Sequence, residues 1–345
     1  MNKQRWHWVF FLLFTTLLGV LFVVDILLGS VKIPGSEITR ILFSGRSYRP
    51  EWATIILDFR IPKALTAVMA GMALSVGGLQ MQTIFRNPLA GPDVLGISSG
   101  ASLGVAILVL GFSSYYSIEK ISCFGNWTIA MAAWAGSAFI LFLIFMVSIR
   151  IRDIMTILIL GILFASVISS LVSILQYFSS ESMLKSFVVW TMGSLGSVTG
   201  AELYVLIPCV ATGLIIALVS SKYLNALLLG DHYARTIGLN IRFSRFVIFI
   251  STSILTGSVT AFCGPIGFIG IAVPHLSRMI FRVADHWILI FASSLIGANV
   301  MLISDIISQL PGTGMTLPVN SVTAILGIPI VIWIVIKNYK MSVYS

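Results

Sequence analysis

The sequence predicts an all-α integral membrane protein with about ten transmembrane helices. Hydrophobic residues make up 58% of the 345 residues and charged residues only 10%, whereas a soluble domain carries about 25% charged residues. The mean hydropathy of +1.03 indicates more apolar surface than a soluble fold of this length can bury. Apolar runs of about 20 residues, the length that spans a bilayer, also recur along the chain.

The apolar runs divide residues 1–345 into the spans of a single multi-span domain. In order, they are Trp8–Gly29, Trp52–Phe85, Ile97–Phe112, Trp127–Ile149, Ile154–Phe178, Leu203–Ser220, Phe243–Cys263, the short Ala272–Phe281, His286–Gln309 and Asn320–Lys337. The first run is too long for the apolar core of a signal peptide, so we expect it to be a retained span. The second run includes Asp58, Arg60 and Lys63, so its first part is predicted to be a helical extension that stands outside the bilayer.

The basic residues predict the orientation of the chain. With both termini in the cytoplasm, thirteen of the 21 Lys and Arg residues face the cytoplasm and eight face outward, as the positive-inside rule requires. Six of those eight lie in the external segment 30–63. The positive-inside rule does not explain this external cluster of basic residues, so another explanation is needed. Topology thus accounts for the net charge of +9, and we expect no nucleic-acid partner.

The small number of charged residues inside the predicted spans argues against an ion-coupled secondary transporter. Asp305 is the main acidic residue inside a predicted span, and Asp25 lies near the end of another. An ion-coupled secondary transporter, the alternative reading, usually places several such groups in the membrane at a cost of roughly 2.5–3.5 kcal/mol each.

An intramembrane enzyme needs a nucleophile with a base or paired metal ligands. The four scattered histidines and three widely spaced cysteines predict no catalytic, metal or cofactor site.

Residues 87–93, NPLAGPD, interrupt the helices between Arg60 and Gly104. Two prolines in this segment forbid a continuous helix. Irregular backbone at membrane depth is tolerated where protein buries it or water borders it, although an ordinary turn between spans explains the segment equally well. Beyond it, Gly96, Gly100 and Gly104 recur every four residues and predict close helix–helix packing.

A second interruption lies in residues 264–281, GPIGFIGIAVPHLSRMIF. Gly267, Gly270 and Pro274, together with the preceding Gly-Pro pair, are predicted to break the helix, and a short half-span should follow. We interpret His275 in this stretch as a hydrogen-bonded structural residue, because no second ligand stands at metal-binding spacing.

Residues 224–240, LNALLLGDHYARTIGLN, predict two short amphipathic helices hinged near Gly230, within a cytoplasmic segment 222–242. Such helices either lie on the bilayer or fill a groove in a soluble partner. The core of the stretch contains one basic residue, Arg235, which is too few for a strong lipid anchor and favours the partner.

These segments resemble, in order from Arg60 to Lys337, the FecCD family of permeases, which import iron-siderophores, haem and cobalamin as parts of type II ABC importers. Each motif is short, but the set in this order is specific. The motifs are R-x-P-[RK] at 60–63, R-N-P-L-A-x-P at 86–92, L-G-x-S-x-G-A at 95–101, W-x-M-G-S-L at 190–195, L-G-x-x-x-A-x-x-x-G at 229–238, G-x-I-G-F-I-G-x-x-x-P-H at 264–275 and L-P-V-x-x-x-T-A-x-x-G-x-P at 317–329.

The resemblance implies a permease in the cytoplasmic (inner) membrane of a bacterium, paired with a second copy as a homodimer. Two ABC ATPase subunits would bind below, a substrate-binding protein would dock above, and the substrate would pass between the two copies. The sequence contains no G-x-x-x-x-G-K-[ST] loop, so we expect ATP and Mg to be bound by the ATPase chain. The chain itself is then a transporter subunit and not an enzyme.

The resemblance also assigns roles to single residues. It places the cytoplasmic gate at Asn87, Leu89, Ile154 and Met155. It assigns contact with the ATPase to Leu229, Gly230, Asp231, Ala234, Arg235 and Gly238. It places docking of the binding protein at Arg60, Lys63 and the position of Gln309.

The docking positions depart from the family pattern. Lys63 stands where the family usually has arginine and cannot form a bidentate fork with a carboxylate, and Gln309 replaces a further arginine. We hypothesise that Arg40, Arg46 and Arg49 supply the missing charge; the alternative is that they are solvated loop charges.

The substrate is left open between iron chelates, haem and cobalamin. Some cobalamin permeases carry small hydroxyl residues at the gate where this chain has Ile154 and Met155, which argues against cobalamin without deciding the matter. Selectivity in such importers rests mostly with the binding protein, which is another chain.

Overall fold

The computed structural model describes residues 3–29, 31–44, 49–111, 125–150, 153–309 and 316–343. All regular secondary structure in these ranges is helical. The helices are α1 (Lys3–Leu27), α2 (Gly35–Ser44), α3 (Pro50–Ile84), α4 (Ile97–Gly111), α5 (Gly125–Arg150), α6 (Ile154–Phe178), α7 (Glu181–Thr191), α8 (Gly200–Val219), α9 (Ser221–Leu228), α10 (Asp231–Thr236), α11 (Ile241–Cys263), α12 (Ile269–Phe281), α13 (His286–Ser308) and α14 (Val319–Val343). Helix α3 is π-helical over Ile55–Arg60, α4 ends in a π-helical turn at Ile107–Gly111, and a 3₁₀ turn, Pro92–Leu95, precedes α4.

The predicted all-α membrane fold is confirmed. Within the described ranges, seven helices are long and apolar enough to cross a membrane, and three shorter apolar helices accompany them. Together they occupy the ten predicted apolar runs. Helices α1 and α6 bury only 11% and 22% of their most apolar window, which leaves apolar surface to be covered by lipid or by another chain.

The two ends of the bundle differ in the residues that they bring together. We call the end that carries Arg86, Arg242 and Arg282 the basic end, and the end that carries Lys63 and Asp305 the opposite end. The N-terminus of α1 approaches the basic end, where His7 Nε2 lies 3.1 Å from the carbonyl oxygen of Phe281.

Helix α3 is the centre of the bundle. It buries 78% of its most apolar window and packs against α8, α11, α12 and α13. Small residues make this possible, because Ala64, Ala67, Ala70 and Ala73 are all fully buried against neighbouring helices. An alanine adds little width to a helix, so several helices approach α3 closely at once.

Two glycine contacts fix the position of α3. Gly71 meets Gly297 of α13 so closely that a Cβ atom on either residue would overlap the carbonyl oxygen of the other. Nearer the basic end, a Cβ on Gly78 would overlap the carbonyl oxygen of Gly270 in α12. Backbone therefore touches backbone at both crossings, and no larger residue fits.

The three glycines predicted to form a small-residue stripe on α4 serve two different purposes. Gly100 and Gly104 pack against α5, where a Cβ on either would meet the backbone of Gly136 or Ala132. Gly96 instead adopts φ +67 between the 3₁₀ turn and α4. A Cβ there would have its nearest neighbour at 3.4 Å, so the backbone conformation and not close packing requires glycine at this position.

The second helix break is shorter than predicted. The chain leaves α11 at Gly264, with φ +73, and re-enters helix at Ile269 rather than Ala272. Gly270 and Pro274 therefore lie inside α12 and do not interrupt it. Pro274 has no N–H for the Gly270 carbonyl, and that carbonyl instead faces Gly78 of α3. Gly267 remains in the break and donates its N–H to Asn320 Oδ1 at 3.0 Å.

Gly71→Ala is expected to lower the thermal unfolding midpoint in detergent, because its Cβ would push α3 away from α13. Overpacking of this kind destabilises by about 1–3 kcal/mol. The matched control is Gly19→Ala in α1, where the added Cβ has no neighbour within 4 Å and should leave the midpoint unchanged or slightly higher. Equal midpoints for the two variants would contradict the close crossing.

Candidate functional site

The basic end of α3 closes in a turn that carries two predicted gate residues. Arg86 adopts φ +48 just beyond the helix, in the left-handed region where helices usually place glycine. The amide of Asn87 donates to the carbonyl of Gln82 at 3.2 Å, and Asn87 Oδ1 accepts from the amide of Leu89 at 2.9 Å. This gate turn, residues 86–89, is therefore held by its own hydrogen bonds and leaves Leu89 40% exposed.

The two short helices predicted after residue 220 are α9 and α10, and Gly230 joins them with φ +116 and ψ 153. Glycine is essentially the only residue that adopts this conformation. Among the predicted ATPase contacts, Leu229 is 65% exposed and Arg235 is exposed, whereas Ala234 is fully buried. Gly238 reverses the chain after α10 with φ +82.

Asp231, the first residue of α10, connects α10 to the gate turn and to α11. Its Oδ1 lies 3.1 Å from Arg86 Nη2 in the gate turn. Its Oδ2 lies 2.7 Å from Arg245 Nη2 in α11. One carboxylate thus accepts from two guanidinium groups that belong to distant parts of the sequence, and charge-assisted bonds of this kind are stronger than neutral ones.

A cavity of about 690 Å³ lies at the opposite end, whereas the basic end has a cavity of about 530 Å³. The basic-end cavity is lined by the start of the gate turn, by the predicted gate residues Ile154 and Met155, and by residues 229–233. The structure therefore brings three of the six predicted ATPase contacts, Leu229, Gly230 and Asp231, together with Ile154, Met155 and the start of the gate turn. The predicted gate residues Asn87 and Leu89 do not line this cavity.

Asp153 caps the helix that carries Ile154 and Met155, and it also lines the basic-end cavity. Its Oδ2 accepts from the hydroxyl of Thr156 at 2.6 Å and from the amide of Thr156 at 2.9 Å. These bonds, the hydroxyl first, hold the pKa of Asp153 below its usual value, because they favour the ionised carboxylate.

A second polar chain also runs from α9 to α3 at the basic end. Asn225 Oδ1 of α9 accepts from the amide of His286 at 2.8 Å and lies 2.6 Å from His286 Nδ1. His286 Nε2 lies 2.8 Å from Thr83 Oγ1 of α3, and Arg278 Nη2 donates to the same hydroxyl at 3.2 Å. His286 is fully buried, and both of its ring nitrogens have partners, as buried polar groups require.

Sequence reasoning did not single out Thr83, Asn225, Arg278 or His286 as members of one site. Each is a lone polar residue near the edge of an apolar run, and that pattern marks a membrane boundary without naming a partner. The available signal was His286 itself, because an imidazole at the start of a buried span needs hydrogen-bond partners.

At the opposite end, Arg60 is bonded within the chain. Its guanidinium donates to the carbonyl of Ile26 at 2.7 Å, to that of Leu27 at 3.2 Å, and to that of Val31. Only 9% of Arg60 is exposed. The residue closes the end of α1 by satisfying carbonyl groups that the helix leaves without donors.

Lys63 and Gln309 belong to a neighbouring buried polar cluster. Lys63 Nζ lies 3.0 Å from Asp305 Oδ1, and Asp305 is fully buried. Gln309 Nε2 donates to Asp25 Oδ1 at 2.7 Å and to Asp305 Oδ2 at 3.2 Å. The lysine and the glutamine together bind two buried carboxylates, those of Asp25 and Asp305. In the described part of the chain, Asp25 is thus a buried acidic residue at this end in addition to Asp305.

These contacts define the surface available for docking. Arg60, Lys63, Asp305 and Gln309 line the cavity of about 690 Å³ at the opposite end, together with mostly apolar residues. Lys63 keeps 22% of its side chain exposed toward solvent, and docking through this cavity stays a prediction.

Among the additional arginines hypothesised for docking, Arg40 Nη1 lies 3.5 Å from Glu37 Oε1 and keeps 45% of its side chain exposed. Arg49 lies over the ring of Trp52, 5.0 Å from its centroid. Arg46 lies outside the described residues. The two described arginines therefore have partners inside the chain, and their part in docking stays a hypothesis.

Comparison with known proteins finds a family and several relatives. A model of the FecCD transport family matches residues 17–337. The hemin transport system permease protein HmuU of Yersinia pestis is 34% identical over 301 residues, which covers 85% of this chain and 88% of that protein. The vitamin B12 import system permease protein BtuC of Escherichia coli O6:H1 is 31% identical over 297 residues, with 86% and 88% covered.

Solved structures show the same architecture. An inward-facing structure of an ABC transporter assigned to the metal-chelate type superposes with a TM-score of 0.81 at 28% identity, covering 95% of this chain and 99% of that one. PsaBC from Streptococcus pneumoniae, in complex with Fab, superposes with a TM-score of 0.53 at 14% identity and supports the fold alone.

Lys63→Met is expected to destabilise the chain by about 3–5 kcal/mol, because it leaves the carboxylate of Asp305 buried without its cation. The double variant Lys63→Met/Asp305→Leu should recover most of that loss, since no unpaired charge remains. Unfolding of the purified chain in detergent measures both. The control is Lys185→Met on α7, an exposed lysine, which should be near neutral; additive effects in the double variant would contradict the pairing.

Proposed function

This chain belongs to the FecCD transport family, and on that premise we propose that it is the membrane-spanning permease subunit of an ATP-binding-cassette importer. It translocates an iron chelate, haem or a related metal cofactor such as cobalamin. The observation that carries the proposal is the direct contact between Asp231 of α10 and Arg86 of the gate turn. A surface suited to a soluble partner is thereby joined to the turn that is proposed to gate the substrate path.

The partner at the basic end is proposed to be a pair of ABC ATPase subunits that bind ATP and Mg. Large apolar side chains of α9, α10 and their flanks support this. Leu229 is 65% exposed, Tyr233 48% and Ile237 55%. Exposed apolar residues on short helices are typical of an element that fills a groove in another protein. This assignment makes the basic end cytoplasmic, with both termini on that side.

The second copy of the chain is proposed to pair through exposed apolar surface, with the substrate passing between the copies. Candidates are α6, which buries only 22% of its most apolar window, and α14, where Ile325 is 71% exposed. Helix α6 presents exposed hydroxyl groups among its apolar residues, at Ser166, Ser170 and Ser173. Each donates to the carbonyl four residues earlier, so these three hydroxyl groups are already bonded within the helix. Such a lining suits a bulky chelate, because a strong site in the path would trap the cargo.

Docking of a substrate-binding protein is proposed at the opposite end, around Lys63 and the cavity beside it. Lys63 is already paired with Asp305 at 3.0 Å, so an acidic group of the binding protein would share or replace that partner. Arg60 then serves docking indirectly, by fixing the end of α1 that borders the cavity. Long-range attraction to an acidic partner would make the association rate fall with salt.

The test is uptake into lipid vesicles that contain the chain with its ABC ATPase, supplied with binding protein and a ferric chelate. ATP hydrolysis should be stimulated by the loaded binding protein and should drive uptake. Gly230→Ala should reduce ATP-driven uptake by roughly 5-fold or more, because a Cβ at φ +116 is strained by about 1–3 kcal/mol. The variant should still assemble with the ATPase.

The matched control is Gly200→Ala, an exposed position where an added Cβ has no neighbour within 4 Å; it should transport like the wild type. Uptake that needs no ATPase and follows an ion gradient would overturn the importer and favour a secondary transporter. Uptake unchanged by Gly230→Ala would leave the importer standing but remove the hinge from its mechanism.

A further inference from the structure

Asp231 is shared between a surface arginine and a buried one. The Arg86 side chain is 46% exposed, the Asp231 side chain 29% and the Arg245 side chain 10%. The shorter contact, at 2.7 Å, joins Asp231 to the more buried Arg245, and the longer one, at 3.1 Å, joins it to Arg86. The ion pair with Arg245 is therefore the more persistent contact of Asp231, and the ion pair with Arg86 is the one that is more readily broken.

The backbone at Arg86 does not favour an arginine. Its φ of +48 lies where glycine ends a helix without strain and where a residue with a Cβ does not rest easily. Its guanidinium lies 3.8 Å from the place where a Cβ on Gly230 would stand, directly over the hinge. The choice of arginine is thus explained by what its side chain contacts and not by the turn that it forms.

Folding stability does not explain the contact either. An ion pair between side chains as exposed as those of Arg86 and Asp231 contributes little to stability in water. Its position is distinctive, however, because Arg86 directly precedes Asn87, whose side chain holds Leu89. Any displacement of the Arg86 side chain by α10 is therefore applied to the first residue of the gate turn.

We propose that the Arg86–Asp231 pair is the releasable link through which α10 positions the gate turn, while Arg245 keeps Asp231 paired in either state. This inference rests on the proposed function and deepens it, by naming the residues that transmit movement from the ATPase contact to the gate. Arg86 is a positioning residue here: it acts on Leu89 through the turn and touches neither ATP nor cargo.

Arg245 makes such a link workable. If Asp231 had only Arg86 as a partner, separating the two would leave a partly buried carboxylate without a cation, which is unfavourable. Because Arg245 binds the other carboxylate oxygen, α10 and the gate turn can separate while Asp231 stays paired. The element then has two discrete arrangements, which is what a switch requires.

The experiment uses the full complex in vesicles, with Cys123, Cys209 and Cys263 replaced by serine and with Leu89→Cys as a reporter. A water-soluble maleimide measures the accessibility of residue 89 with and without ATP, beside ATP hydrolysis and chelate uptake. Arg86→Gln and Asp231→Asn should each reduce the ATP-dependent change in labelling rate by roughly 5-fold or more. The double variant should be no worse than Asp231→Asn alone, because that change already removes the pair with Arg86 as well as the pair with Arg245.

Arg86→Lys keeps the charge and should retain part of the response, since the contact to Asp231 is a single bond and not a fork. The control is Arg242→Gln, which removes the same charge from an exposed residue at the same end and should respond like the wild type. A labelling change that persists in Arg86→Gln, or additive losses in the double variant, would overturn the link while leaving the importer intact. A wild-type complex without ATP-driven uptake and without an ATP-dependent labelling change would overturn both.

Discussion

The close contact of α3 with α12 and α13 is the constraint on which the rest of the structure depends. At Gly71 and Gly78 the backbone of α3 lies directly against carbonyl groups of the two neighbouring helices. Within lipid the hydrophobic effect does not drive helices together, so van der Waals packing at small residues must do so. Because α3 is held along its length in this way, the residues at its two ends, Lys63 and Arg86, occupy defined positions relative to α13 and α10.

The polar residues follow from that placement. An apolar bundle offers no water to a charged group in its interior, so each buried polar side chain needs a partner inside the protein. At the opposite end, Lys63 and Gln309 meet the buried carboxylates of Asp25 and Asp305. At the basic end, His286 is bonded on both sides, to Asn225 and Thr83. Both clusters join α3 to helices that are distant in sequence, and both His286 and Asp305 are fully buried. The Arg86–Asp231 pair at the basic end is more open, since the Asp231 side chain is 29% exposed.

The sequence predicted the spans well and the contacts poorly, for a physical reason. Hydrophobicity is a property of each segment, so the runs that became α6 and α11 could be recognised without knowledge of the fold. The sequence could not show whether Gly270 and Pro274 would interrupt a helix. They lie inside α12, and the Gly270 carbonyl that lacks an N–H partner faces Gly78 of α3. That approach of α3 is not visible in any local sequence pattern. The motif that contains Arg86 and Asn87 pointed to the gate turn, and the motif of residues 229–238 pointed to the hinge. That Arg86 and Asp231 meet, and that Lys63 is bound by Asp305, are tertiary facts, since nothing in either segment names the other.

The length of α3 gives these separate contacts a common consequence. From Lys63 to Ile84 the chain is one uninterrupted helix, and at ~1.5 Å per residue it extends about 30 Å, the thickness of the hydrocarbon core. An α-helix transmits a push along its axis because its hydrogen bonds fix the rise of every residue, so α3 shifts or tilts as a unit. A force on Lys63 at one end and a force on Arg86 at the other therefore act on the same rigid body. The glycine crossings and the hydrogen bonds of Ser75 and Gln82 to α13 and α12 hold that body against its neighbours. Helix α3 therefore sets the distance between the polar cluster around Lys63 and the turn that begins at Arg86.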